Sequence, residues 1–176
     1  MTIWSFFSCI QYNPFLSADQ FNAIPENVKE SIEHLELAGV NVKEEFDLIY
    51  NHINELASNF SEVLFSIDTY NSSVADFALS KGFSLVNDIS SGKYDKDMFK
   101  VVKKHKAGYI MMHMNGVPSN MQNNPKYENI NHDIIKDFTS KIDSAEKKGV
   151  CDIIIDPGFG FGKTIQHNYQ ILNNLK

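Results

Sequence analysis

Four short runs, each apolar almost throughout and each with a polar residue at its C-terminal edge, constrain this chain more than any other feature. They are Glu62 to Asp68, Phe83 to Asp88, Tyr109 to Met114 and Ile153 to Asp156. Strands that are continuously apolar, rather than alternating, are buried on both faces. Between the runs lie segments with helical spacing. Asn71 to Lys81 places Val74, Phe77 and Ala78 together, with Ser72 or Ser73 as N-cap and Gly82 as terminator. Asp95 to Lys106 is a second helix, and Thr164 to Lys176 a fourth. Between those two, the stripe Ile134, Ile135, Phe138, Ile142 and Ala145 marks a helix that Gly149 ends. Buried strands alternating with helices mean parallel βαβ units. The polar residues Asp68, Asn87, His113 and Asp156 then fall at the C-terminal edge of the sheet, where α/β folds bind ligands.

The first sixty residues depart from this rhythm. Pro25 to Ala38 reads as a helix, and Val42 to Phe60 as another with Phe46, Ile49, Ile53, Leu56 and Phe60 on its stripe. Only Gly39-Val40-Asn41 separates them, too short for a strand. About four to five strands are therefore expected, and a closed eight-stranded barrel takes about 250 residues. This chain has 176, with an ordinary globular composition of 43% hydrophobic and 22% charged residues.

Charge and cysteine content narrow the partners. The 16 basic residues are all lysine and stand against 22 acidic ones, a net charge of −6. Nucleic acid, which demands a concentrated positive surface, is not an expected partner. Cys9 and Cys151 lack metal-site spacing and read as reduced thiols. The apolar run Ile3 to Ile10 is far shorter than the ~20 residues of a membrane span and has no basic leader before it. A cytoplasmic protein without membrane attachment is expected. The histidines at 34, 52, 105, 132 and 167 show no ligand spacing, so no metal site is read from the residues. His113 reads as a strand-end residue that fixes loop geometry rather than a proton shuttle. Lys103-Lys104 and Lys147-Lys148 sit at solvated helix ends.

The segment Asp156-Pro157-Gly158-Phe159-Gly160-Phe161-Gly162-Lys163-Thr164 fails two nucleotide-binding patterns. A phosphate-cradling P-loop needs glycine where Pro157 stands, and the dinucleotide fingerprint needs glycine at Lys163. What remains is a carboxylate at a strand end followed by a glycine-rich loop carrying two aromatic rings and a cation.

Together with Ser66-Ile67-Asp68-Thr69, Val86-Asn87-Asp88-Ile89-Ser90 and Met112-His113-Met114-Asn115-Gly116-Val117-Pro118 followed by Met121-Gln122, this segment resembles the central motifs of dihydropteroate synthase. The resemblance runs from about Asn41 to Lys176. It implies an α/β fold, a partial (β/α)8 TIM barrel, with a pterin-binding domain at 41–176 and a diverged N-terminal segment at 1–40. It implies a transferase of folate biosynthesis that condenses 6-hydroxymethyl-7,8-dihydropterin pyrophosphate with p-aminobenzoate, releasing pyrophosphate. Asp156 would accept the amino and ring N–H groups of the pterin, and Asp68 would stabilise positive charge as pyrophosphate leaves. Asn87 would read the remaining heteroatoms, Ile89 and Met114 would pack on the ring faces, and Gly160, Phe161 and Lys163 would meet the aromatic amine. The family usually forms a homodimer and uses magnesium, but its metal and pyrophosphate loop is not recognisable here, and no arginine is present to fork around a phosphate. The expectation is an incomplete copy in which the half-site for the ring is present, activity is impaired and the fold is marginally stable. Two other readings stay open, a methyltetrahydrofolate methyltransferase-like barrel and a non-catalytic remnant.

Overall fold

The computed structural model of the protein describes residues 42–117 and 120–175. The apolar run at 3–10, the helix at 25–38 and the segment 1–40 lie outside the described residues. The elements in order are α1 (Val42–Asn59), β1 (Ser66–Asp68), α2 (Ser72–Ser80), β2 (Leu85–Asp88), α3 (Met98–His105), β3 (Gly108–Met112), α4 (Ile130–Lys147), β4 (Ile153–Asp156) and α5 (Ile165–Asn173). The four strands form one sheet in the order β1-β2-β3-β4, and every neighbouring pair is parallel. Sequential parallel strands with a helix after each are the expected part-barrel.

Strand alternation sorts the side chains onto two faces. Ile67, Val86, Tyr109 and Met111 point to the helix layer, where they join Val74, Met98 and Val102 in the main core. Ser66, Asp68, Asn87, Ile110 and Met112 therefore point the other way, toward what is the inside of a barrel. The core residues are nearly all from the expected apolar positions, and burying each such side chain is worth roughly 1.5–3 kcal/mol.

Several expectations are corrected. The first run yields a strand of only 3 residues. The N-cap of α2 is Asn71 rather than a serine, and its side chain makes no cap bond. Instead Asp95, just before α3, accepts the Ser72 N–H at 2.8 Å, so one helix start is capped from the next βα unit. Gly82 does end α2, in the left-handed region at φ 112°, while Gly82 and Phe83 donate back to Leu79 and Ala78. On α4, Ile134, Phe138 and Ala145 are buried but Ile135 is 65% exposed, because it stands one residue, about 100°, off the stripe. The fourth run was expected to be buried on both faces. Among the described residues β4 pairs only with β3, and Ile154 and Ile155 are 52% and 53% exposed on its two faces.

Candidate functional site

At the C-terminal tips of β1 and β2, Asp68 and Asn87 are register partners. Both face away from the helix-side core, and Asn87 Nδ2 donates to Asp68 Oδ2 at 3.0 Å. That bond fixes the amide, since the reverse orientation would set two oxygens against each other. Asn87 is 5% exposed, and its Oδ1 is a buried acceptor with no hydrogen-bond partner. Such an atom carries a desolvation cost of about 1–3 kcal/mol unless a donor arrives. Asn87 therefore presents a carbonyl oxygen that lacks an N–H.

The adjacent Asp88 faces the opposite way and is wholly buried. It accepts the Tyr109 hydroxyl at 2.7 Å and the N–H groups of Ser90 and Gly92 at 2.8 Å each. Burial and the Asp88 carboxylate together push the Tyr109 phenol well above its ordinary value, so it stays a donor. This network holds the turn after β2 and carries Ile89, half-buried, at the site's edge.

Asp156 ends β4 opposite Met112. Ile153 packs on the helix-side core, so alternation puts Asp156 on the same sheet face as Asp68 and Asn87. Two strand spacings, about 10 Å, separate the tips of β2 and β4. That span matches a two-ring heterocycle with hydrogen bonds at each end. Asp156 Oδ1 accepts the Gly158 N–H at 2.8 Å, which leaves Oδ2 directed by the glycine-rich loop.

The loop itself is fastened. Gly158 and Gly162 have φ of 65° and 63°, where L side chains are strained. A Cβ at Gly158 would overlap the His113 carbonyl, and one at Gly162 would sit 2.5 Å from the Asn115 carbonyl. Gln122 Nε2 donates to the Gly160 carbonyl, Tyr127 Oη to Gly162 O at 2.8 Å, and Gly160 N–H to Asn168 Oδ1 at 3.1 Å. Lys163 is 4% exposed, and its Nζ lies 3.0 Å from His113 Nδ1, 3.1 Å from His113 O and 2.9 Å from Phe161 O.

Of the expected site residues, Asp68 and Asn87 touch each other and Asp156 shares their face. Ile89, Met114 and Phe161 are half-buried, and Gly160 is exposed on the loop. Lys163 was expected beside the substrates as a cation. Its Nζ meets three acceptors of its own chain, two on His113 and one on Phe161, and lies near enough to Asp156 for that carboxylate to favour its charge. His113 is also off the shared rim. Its ring turns toward Tyr127 and Phe138, 6.0 and 6.3 Å away, and burial followed by the neighbouring Lys163 lowers it to about 4. Sequence reasoning missed Asp88, Tyr109, Gln122, Tyr127 and Asn168 as supports. For Asp88 the signal was available, since a residue next to a rim-facing Asn87 must face the helices.

The model of the family described as "Pterin binding enzyme" matches residues 33–176. The chain belongs to the pterin binding enzyme family. Within it, the chain is 38% identical over 139 residues to a dihydropteroate synthase of Clostridium beijerinckii, covering 78% of this chain and 49% of that one. It is 41% identical over 144 residues to the folic acid synthesis protein fol1 of Pneumocystis carinii, covering 77% of this chain and 19% of that one. The crystal structure of Yersinia pestis dihydropteroate synthase with a sulfonamide drug complex superposes with a TM-score of 0.73 at 35% identity, covering 77% of this chain and 50% of that chain. The chain thus spans about half the length of these two synthases, and its described residues carry four βα units of a (β/α)8 barrel.

A magnesium site, which the resemblance implies, is not assigned to the described residues. No three of their histidine, cysteine, aspartate and glutamate side chains stand where they could share an ion, so no step below passes through a metal. No helix among the described residues is long and apolar enough to cross a membrane.

Proposed function

We propose that the chain binds a pterin across the tips of β1, β2 and β4 and serves the dihydropteroate synthase reaction, joining 6-hydroxymethyl-7,8-dihydropterin pyrophosphate to p-aminobenzoate with loss of pyrophosphate. The observation that carries this reading is the buried, unpartnered Oδ1 of Asn87, held in place by Asp68. An acceptor of that kind, between two carboxylates on one sheet face, suits an N–H-rich fused ring. Asp156 accepts the amino group and the neighbouring ring N–H. Each charge-assisted bond in a site shielded from water contributes about 1.5–3 kcal/mol. Asn87 accepts a remaining ring N–H. Asp68 lies where positive charge grows on the pterin's methylene carbon as its C–O bond to the departing pyrophosphate breaks, and a fixed carboxylate there lowers the barrier electrostatically. The aromatic amine then attacks that carbon and loses a proton. Ile89, Met114 and Phe161 supply the apolar walls.

The curated relatives carry folate-synthesis names, which favours this chemistry over methyl transfer. A cytoplasmic setting and a homodimer complete the proposal; sedimentation velocity reads the second directly. The test is calorimetric titration with 6-hydroxymethylpterin, followed by assay of dihydropteroate formation from the two substrates. Pterin binding with product formation supports the full reading. Pterin binding with no product supports the remnant, and no pterin binding at all overturns both.

A further inference from the structure

Lys163 and His113 are two buried ionisable groups that the proposed chemistry leaves unused. Both lie under the glycine-rich loop. Lys163 Nζ has three N–H groups and three acceptors at 2.9–3.1 Å, two on His113 and one on the loop carbonyl of Phe161. A lysine donating to Nδ1 requires the neutral tautomer with its proton on Nε2. The loop reaches the pterin site through one further bond, Gly158 N–H to Asp156 Oδ1. Fixing the far end of the loop thus fixes the rotamer of the carboxylate at its near end.

We propose that His113 and Lys163 are positioning residues: their hydrogen bond latches the segment 157–163 onto the tip of β3 and so aims Asp156 at the ring it binds. The groups facing the pair agree with a latch that holds a charged lysine. Asp156 from β4 and Asp137 from α4 favour the cation, while Lys141 from α4 opposes it. Burial is the largest influence on both members. It lowers Lys163 from 10.5 to about 8 and, with Lys163 beside it, His113 from 6.5 to about 4. Each group holds its proton less tightly in the folded chain than in the unfolded one. Between about pH 4 and 8 the histidine is therefore a neutral acceptor and the lysine a charged donor of three N–H groups, the pair of states the latch needs.

The affinity part of the test rests on the pterin reading, and the exchange part does not. Amide hydrogen exchange of Gly158, Gly160 and Phe161 in the full chain, corrected for intrinsic rates, reads the latch directly. Three variants separate the possibilities: His113→Ala removes the acceptor, His113→Asn offers Oδ1 in the place of Nδ1, and Lys163→Met keeps the volume without donors. We expect protection to fall at least tenfold in H113A and K163M, to stay within threefold of wild type in H113N, and to leave β2 amides unchanged. Pterin affinity falls at least fivefold in H113A and recovers in H113N. Equal protection in wild type and K163M overturns the latch. So does an H113N variant as loose as H113A, which would assign the effect to ring packing. A wild type that shows the protection pattern but binds no pterin removes the pterin reading and leaves the latch standing.

Discussion

Replacing Asn87 with leucine separates a binding role from a structural one, because the two predict opposite outcomes. The substitution keeps the branched four-atom shape of the side chain at a position 5% exposed. It removes the Nδ2–Asp68 bond of 3.0 Å, a loss of about 1.5–3 kcal/mol for a bond to a charged acceptor. It also removes Oδ1, a buried acceptor without a partner, whose burial costs about 1–3 kcal/mol. The two terms offset, so the folded state changes by no more than about 2 kcal/mol in urea denaturation. Binding has no such offset. A ring N–H loses its acceptor and stays desolvated, and Asp68 loses the group that orients it. A deficit of about 1.5–3 kcal/mol weakens pterin binding roughly tenfold to a hundredfold in calorimetry. The reasoning is refuted if N87L loses more than ~3 kcal/mol of stability while pterin affinity stays within twofold, since Asn87 would then be a core hydrogen-bonder.

Tyr109→Phe deletes the buried bond to Asp88 and leaves that carboxylate one donor short. The expected loss is about 1.5–3 kcal/mol in urea, with pterin affinity altered less than threefold. Stability should also follow the two depressed bases. His113 is lowered to about 4, so the unfolded chain takes up its proton first and stability falls as pH drops from 6.5 toward 4. Lys163 is lowered to about 8, so stability rises between pH 8 and 10.5. Urea midpoints across both windows check the signs, and K163M should lose the upper rise. Ile155→Lys places a charge on the exposed edge of β4 and should reduce self-association in sedimentation, with stability changed by less than about 0.5 kcal/mol. Unchanged self-association would mean that this edge is not the adhesive surface.

The strands and helices were legible because burial and periodicity are local properties. Ile134 and Phe138 announce their face by spacing alone, and Asp68, Asn87 and Asp156 by standing at the C-terminal edges of apolar runs. Long-range polar contacts were not legible. Asp95 capping α2, Gln122 and Tyr127 holding the glycine-rich loop, and Lys163 turning beneath it all join residues 20 to 50 positions apart. Nothing in the local pattern of Gly160-Phe161-Gly162-Lys163 tells an exposed cation from a buried one. The apolarity of Ile154 and Ile155 did signal a strand suited to burial on both faces. Only the sheet order shows that β4 lies at an edge among the described residues.

The central claim is most directly tested by following the side-chain amide of Asn87 by NMR during titration with 6-hydroxymethylpterin. If the ring is gripped between the strand tips, the Asn87 Nδ2 resonances and the Gly158 amide shift together and saturate with one common affinity. Shifts confined to other surfaces, with Asn87 and Gly158 unmoved at saturation, would contradict it.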